Sequence, residues 1–188
     1  MTEYRVRLAK ETFKFSSTHF TLFNEHEAER LHGHNYHVTI ECGLTELGPF
    51  GMGFEFNELK PLIKELTEAW DERILVAQTC PHIALATQAF DGLAHVSLRF
   101  GKKHYLFPES DVALLPIANV TSEELAKLFA VNLAQLWKTR SQPGADQKRL
   151  AQRVGWLDVQ IEETRGQSAT YRLLNPLLSS SSQENGQP

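Results

Sequence analysis

Four of the eight histidines, His26, His32, His34 and His37, fall within twelve residues of one another. Within that group, His32-Gly33-His34 opens a segment of alternating polar and apolar residues. In an extended chain residues i and i+2 point to the same side, so both imidazoles can face one ion. His19 ends the preceding extended segment. If the two strands pair antiparallel across the polar 21–30 connection, His19 arrives beside the pair. Three neutral imidazoles with an open fourth position describe a catalytic zinc site, which needs no thiolate. Such a metal polarises carbonyls and stabilises enolates. A structural zinc would want four protein ligands, and no fourth is evident. Spacing alone leaves a second reading open, in which the triplet is two polar side chains facing solvent. His26 and His37 read as exposed loop and strand residues, and His82, His95 and His104 as isolated surface or satisfied core histidines.

The elements that must position these residues follow from periodicity. Tyr4, Val6 and Leu8 alternate with Arg5 and Arg7, which predicts a half-buried strand. Phe13 and Phe15 resume the alternation on the opposite parity, so one strand running on to His19 needs a bulge near residues 9–12. A second strand is expected over 35–44, with Val38, Ile40 and Cys42 inward. Asn57 is placed to cap a helix reaching about Trp70, with Leu59, Leu62, Ile63, Leu66 and Trp70 on one stripe and Pro61 in the first turn. Thr121-Ser-Glu-Glu124 is a capping-box pattern, followed by Leu125, Leu128, Phe129, Leu133, Leu136 and Trp137 at helical spacing.

Between the helices, residues 95–100 and 104–107 form an expected hairpin around Gly101. Residues 141–150 read as a polar linker. Residues 155–163 and 169–174 form a C-terminal hairpin turning at Arg165-Gly166-Gln167. The tail, 177–188, is serine-rich and polar and reads as disordered. The resulting order is that of an α+β domain, with helices on one face of an antiparallel sheet. Its two open sheet edges favour edge-to-edge oligomerisation.

Composition narrows the function. The 188 residues carry 19 Lys+Arg against 23 Asp+Glu, a net charge of −4. That balance argues against a dedicated binder of nucleic acid or anionic membrane. Mean hydropathy is −0.32, and no apolar run approaches the ~18 residues of a membrane span. The N-terminal segment has no apolar h-region, so no signal peptide is expected. Two cysteines, Cys42 and Cys80, make no disulfide framework. A cytoplasmic protein is expected.

Several segments together resemble one known family. They are Phe15-Ser-Ser-Thr-His19-Phe, Leu31-His-Gly-His-Asn-Tyr36, Gly51-Met-Gly-Phe-Glu-Phe56 with Leu59-Lys60, Trp70-Asp-Glu-Arg73, Thr121-Ser-Glu123, and Glu163-Thr164 with Tyr171. In this order they are similar to the 6-pyruvoyl-tetrahydropterin synthase and 6-carboxytetrahydropterin synthase family, with Leu31–Tyr36 the most specific element. The resemblance implies the tunnelling fold (T-fold), in which ββααββ protomers join into a trimeric barrel and two trimers commonly stack. A domain over 1–176 is expected, with an insertion at about 80–118. The resemblance also implies zinc held by His19, His32 and His34, and a pterin gripped by Glu163, with Thr121 and Ser122 lining its pocket. A carboxylate suits a cyclic N–H/NH₂ donor pair because it accepts two parallel hydrogen bonds. Val159, Ile161 and Glu163 share a parity, so Glu163 is expected on the apolar side, where an unpaired carboxylate is costly.

The chain departs from the family at the proton-shuttling base. Four residues before His32, where the family carries a cysteine, stands Ala28, and the supporting Asp-His pair maps onto Asp71 and Glu72. A neighbouring carboxylate, Glu27, Glu29 or Glu72, is placed to replace the thiol, so that Asp71 with Glu72, or Glu27 or Glu29, would move protons. In an apolar pocket its pKa can rise enough for acid–base work. The resemblance thus implies a zinc-dependent lyase acting on 7,8-dihydroneopterin triphosphate, with 6-carboxy-5,6,7,8-tetrahydropterin, on the queuosine route, the favoured product. The alternatives are a 6-pyruvoyl or hydroxymethyl pterin product, or a pterin-binding protein impaired in catalysis. The expected partner is the small pterin alone, apart from copies of the chain itself.

Overall fold

A computed structural model describes residues 4–141 and 145–178. In chain order the elements are β1 (Tyr4–Leu8), β2 (Lys14–His19), β3 (His32–Leu44), α1 (Phe56–Trp70), β4 (Arg73–Ala77), β5 (Ala84–Phe90), β6 (Leu93–Phe100), β7 (Lys103–Pro108), β8 (Val112–Leu115), α2 (Ser122–Arg140), α3 (Ala145–Arg153), β9 (Val154–Thr164) and β10 (Gln167–Leu174). The main sheet runs β10-β9-β3-β2-β4-β8, with β1 also paired to β3.

The expected bulge near residues 9–12 is a full interruption. β1 and β2 both pair antiparallel with β3, from Leu8↔Ile40 to Lys14↔His37. Between them the Phe13 N–H closes a turn on the Lys10 carbonyl, and the Phe13 carbonyl accepts from Val38 N–H. The parity change is thereby absorbed, and Leu8, Phe13 and Phe15 are all buried. β3 begins at His32 rather than at residue 35, because the His-Gly-His triplet itself pairs with β2.

The wholly antiparallel sheet expected from the sequence is corrected to a mixed one. β4 pairs parallel with β2, and β8 parallel with β4. Both are short apolar runs whose periodicity does not separate strand from helix end. The expected hairpin between the helices is a three-stranded sheet, β5-β6-β7. Asp91-Gly92, with φ of 50° and 78°, joins its first two strands by the positive-φ turn that suits the strand twist. The expected 141–150 linker contains the start of α3. The tail from residue 179 lies outside the described residues.

α1 and α2 cover one face of the main sheet. The α1 stripe is the expected one, with Leu59, Leu62, Ile63, Leu66 and Trp70 all buried. Its cap is Glu55 rather than Asn57; the Glu55 N–H donates to the Glu58 carboxylate at 3.1 Å. Thr121 caps α2 as expected, its Oγ1 accepting from Glu124 N–H at 3.3 Å. The core between helices and sheet is aromatic: Phe15 stacks on Tyr36 with centroids 4.7 Å apart, and Trp70 stands edge-on to Phe15 and Phe129.

On the other face, a Cβ at Gly43 would lie 2.1 Å from the Trp156 indole. Trp156 has little freedom to yield, because the Arg172 guanidinium lies 4.0 Å from its ring centroid. Gly43→Ala is therefore expected to destabilise the fold by about 1–3 kcal/mol through overpacking, read as a lower melting temperature.

Candidate metal centre

Antiparallel pairing sets His19 directly opposite His32. His32 and His34 share the parity of Tyr36, Val38 and Ile40, the buried side of β3. The triplet therefore turns towards the helices, and the solvent-facing reading is set aside. Ring centroids lie 4.9 Å apart for His19–His32, 5.3 Å for His19–His34 and 4.6 Å for His32–His34. One ring nitrogen of each lies within 4.8 Å of the others, so the cluster could hold a metal ion.

Two of the rings are oriented by backbone carbonyls. His19 Nδ1 lies 3.0 Å from the Val120 oxygen, and His32 Nδ1 lies 2.8 Å from the Arg30 oxygen. A carbonyl only accepts, so each Nδ1 carries the proton and each Nε2 presents a lone pair, the tautomer a metal requires. Burial pushes the pKa of His19 below its ordinary value. The Val120 bond and the Glu163 charge work against that shift, while His32 and His34 reinforce it.

Glu163 completes the cluster. As its parity implied, it lies on the helix side of β9, where Oε1 is 3.0 Å from His19 Nε2 and 3.4 Å from His34 Nε2. Its oxygens accept from the Tyr36 hydroxyl at 3.2 Å and the Ser122 hydroxyl at 3.3 Å. The His19 contact is an ion-pair distance without a hydrogen bond: Nε2 of this 1% exposed side chain has no hydrogen-bond partner. A neutral ring with Nδ1 bonded to Val120 turns a lone pair towards a carboxylate oxygen. That arrangement needs a positive charge close by, and the imidazole set with its adjacent carboxylate fits a divalent cation. Tyr36 is not among the expected site residues, although it shares the parity of His32 and His34 along β3. Burial, then the Glu163 charge, raises its hydroxyl pKa far above the ordinary value, which keeps it a donor.

The remaining expected site residues divide. Thr121 Oγ1 is committed to the helix cap, so Ser122, not Thr121, reaches Glu163. In the 21–30 loop, Asn24 Oδ1 accepts from the backbone of His26 and Glu27 to form a tight tip, and Leu22 bridges to Ala28. Glu27 is exposed on that tip. Glu29 is half-buried at its base, and its Oε2 accepts from Thr21 N–H at 3.0 Å. Desolvation opposes its charge, but the Thr21 bonds, with His32 and His19 nearby, hold its pKa below the ordinary range. The raised carboxylate pKa expected from the sequence is therefore corrected for Glu29: the group is poised as an anion.

Asp71 is tied to the backbone, Oδ1 accepting from Ser16 N–H at 2.7 Å and its own N–H closing α1 on Thr67. Glu72, at φ 55°, donates its N–H to Ser16. Its side chain lines an open groove of about 1260 Å³ that also passes His34 and Glu163.

Fold and cluster together define an α+β protein with a three-histidine cluster, able to hold a metal ion, set between a mixed sheet and its helices. The family model described as 6-pyruvoyl tetrahydropterin synthase matches residues 7–173, and the chain belongs to that family. The protein of Methanocaldococcus jannaschii named "Putative 6-carboxy-5,6,7,8-tetrahydropterin synthase" is 28% identical over 159 residues, covering 85% of this chain and 89% of that one. A Pyrococcus horikoshii protein of the same name is 32% identical over 125 residues, 66% of this chain and 71% of its own. Among solved structures, the 6-pyruvoyl tetrahydropterin synthase of Plasmodium falciparum superposes with a TM-score of 0.81 at 20% identity, over 93% of this chain and 99% of that one. The Plasmodium vivax enzyme follows at 0.78 and 21%. These likenesses establish the tunnelling fold. Among the described residues no helix is long and apolar enough to cross a membrane.

Proposed function

We propose that the protein is a zinc-dependent lyase that converts 7,8-dihydroneopterin triphosphate to 6-carboxy-5,6,7,8-tetrahydropterin, on the queuosine route in the cytoplasm. The observation that carries this reading is the convergence of His19, His32 and His34, two of them with Nδ1 bonded to carbonyls, beside the Glu163 carboxylate. The archaeal relatives' names support the choice of product. Zinc held by the three histidines would supply Lewis-acid polarisation of substrate oxygens and acidify the adjacent carbon positions.

The chain's own residues do the rest. Glu163 accepts two parallel hydrogen bonds from the amino-pyrimidine edge, with Tyr36 and Ser122 orienting its oxygens. Glu29, anionic and steadied by Thr21 N–H, accepts the proton released from the substrate side chain. Two Plasmodium vivax structures are catalytic-residue mutants in which a glutamate is replaced by alanine or by cysteine. A catalytic glutamate in that protein supports a carboxylate base here, where Ala28 offers no proton. Glu72 faces the shared groove and is available to return a proton, while Asp71 fixes the turn that carries it. The outer strands β10 and β8 support edge-to-edge assembly into a trimer or a dimer of trimers.

Incubating the zinc-loaded protein with 7,8-dihydroneopterin triphosphate and identifying products by mass spectrometry tests the reading. A 6-carboxy product absent from the metal-stripped control is expected; a 6-pyruvoyl or hydroxymethyl product reassigns the reaction. No product with intact pterin binding leaves a binding protein, and neither binding nor product overturns the pterin assignment. Glu163→Gln replaces an acceptor oxygen by a donor and is expected to weaken pterin affinity about 10–100-fold, the loss of a charge-assisted pair, measured by fluorescence titration.

A further inference from the structure

The sheet β5-β6-β7 reaches the 21–30 loop through the Lys103 cation. Lys103, at the start of β7, is half-buried. Its ammonium donates to the carbonyl oxygens of Ala28, at 3.1 Å, and of Glu29. It lies 5.9 Å from the centroid of the Phe20 ring, which follows directly on His19. Tyr105, two residues further along β7, stacks on Phe20 and on Phe107. The inserted sheet thus meets the histidine-bearing strand through an aromatic cluster and the loop through a charged brace.

Lys103 grips a stretch of backbone that is otherwise held from one side. Thr21 and Glu29 exchange bonds, Glu29 N–H to the Thr21 carbonyl and Thr21 N–H to the Glu29 carboxylate. Beyond them, the Asn119 amide pairs with both the N–H and the carbonyl of Leu22. These bonds fasten residues 21, 22 and 29 but leave the carbonyls of 28 and 29 to Lys103. An ammonium has three donors and no acceptor, so it can bridge two adjacent carbonyls with one proton to spare.

We propose that Lys103 is a positioning residue for Glu29. The insertion acts as a brace that holds the loop, and with it the Glu29 carboxylate, at a fixed place beside the histidines. The inference rests on the reading of Glu29 as the proton-accepting group. Misplacing a reacting group by about 1 Å can cost about 100-fold in rate, so loss of the brace should appear in turnover and not in substrate capture.

The test compares Lys103→Met, Lys103→Arg, Glu29→Gln and the double variant Lys103→Met/Glu29→Gln, each in the full-length zinc-loaded protein with 7,8-dihydroneopterin triphosphate. Lys103→Met is expected to lower kcat about 10–100-fold with KM, zinc content and melting temperature unchanged. Lys103→Arg, which keeps a cation with several donors, restores most of the rate. The double variant is no slower than Glu29→Gln alone, because a brace has nothing left to position once the carboxylate is gone. An unchanged kcat in Lys103→Met beside a crippled Glu29→Gln overturns the brace and leaves the Glu29 reading intact. Losses that multiply in the double variant also overturn it, as does a Lys103→Met protein that sheds zinc or melts early in step with its activity. A Glu29→Gln protein with full turnover removes the Glu29 reading itself, and the brace falls with it.

Discussion

His19→Ala is expected to eliminate turnover and reduce zinc content to well below one ion per chain. Of the three imidazoles, His19 is the most buried, joined by its Nδ1 to Val120 and facing Glu163 through Nε2. Removing it leaves two ring ligands, His32 and His34, from a single strand. It also orphans the Val120 carbonyl from the ring, although Thr21 Oγ1 still donates to that oxygen at 3.1 Å. The folded state should therefore survive better than the metal site. Zinc content by elemental analysis, set beside a melting curve of metal-stripped protein, separates the two effects. A His19→Ala protein that keeps its zinc and its rate contradicts the assignment of this residue.

The second large effect is expected at Glu29. Loss of a general acid or base typically costs about 10²–10⁴-fold in rate, and Glu29→Gln removes the charge while keeping nearly the same shape and the capacity to accept from Thr21 N–H. Zinc content and pterin binding should hold, so the loss falls on kcat. The exposed Glu27 supplies the internal comparison: Glu27→Gln is expected to leave turnover unchanged. Ala28→Cys gives a complementary measurement. If the site is built around Glu29, a thiol at residue 28 adds little; a sharp rise in rate in Ala28→Cys would instead show that a missing thiol limits the enzyme. Steady-state kinetics on the three variants decide between the bases.

Much of this site is legible in the chain because it is written in strand periodicity. The same alternation that buries Val38 and Ile40 carries His32 and His34 to the helix side, and the parity of Val159 and Ile161 carries Glu163 there from β9. The Thr121 cap and both helix stripes are equally local and equally readable. What escapes is set by partners distant in sequence. Arg73–Ala77 and Val112–Leu115 become strands only because β2 and then β4 offer them a parallel edge, and the four apolar residues in each carry no period of their own. β5 is almost wholly exposed and lacks the alternation that marks a half-buried strand, so only the Asp91-Gly92 turn betrays it. The ranking of Glu27 and Glu29 is likewise invisible in sequence. It depends on a tip built by Asn24, on Thr21 across the loop, and on Lys103 arriving from more than seventy residues away.

Everything proposed for the site rests on three imidazoles that together hold one divalent ion, with the Glu163 carboxylate beside them. X-ray diffraction from zinc-replete crystals, recorded on both sides of the zinc absorption edge, tests it most directly. An anomalous peak is expected within ~2.0–2.1 Å of one nitrogen from each of His19, His32 and His34, the ordinary zinc–imidazole distance, with Nδ1 of His19 still bonded to Val120. A well-ordered trio of rings with no anomalous density between them, or a zinc peak elsewhere on the chain, would contradict it.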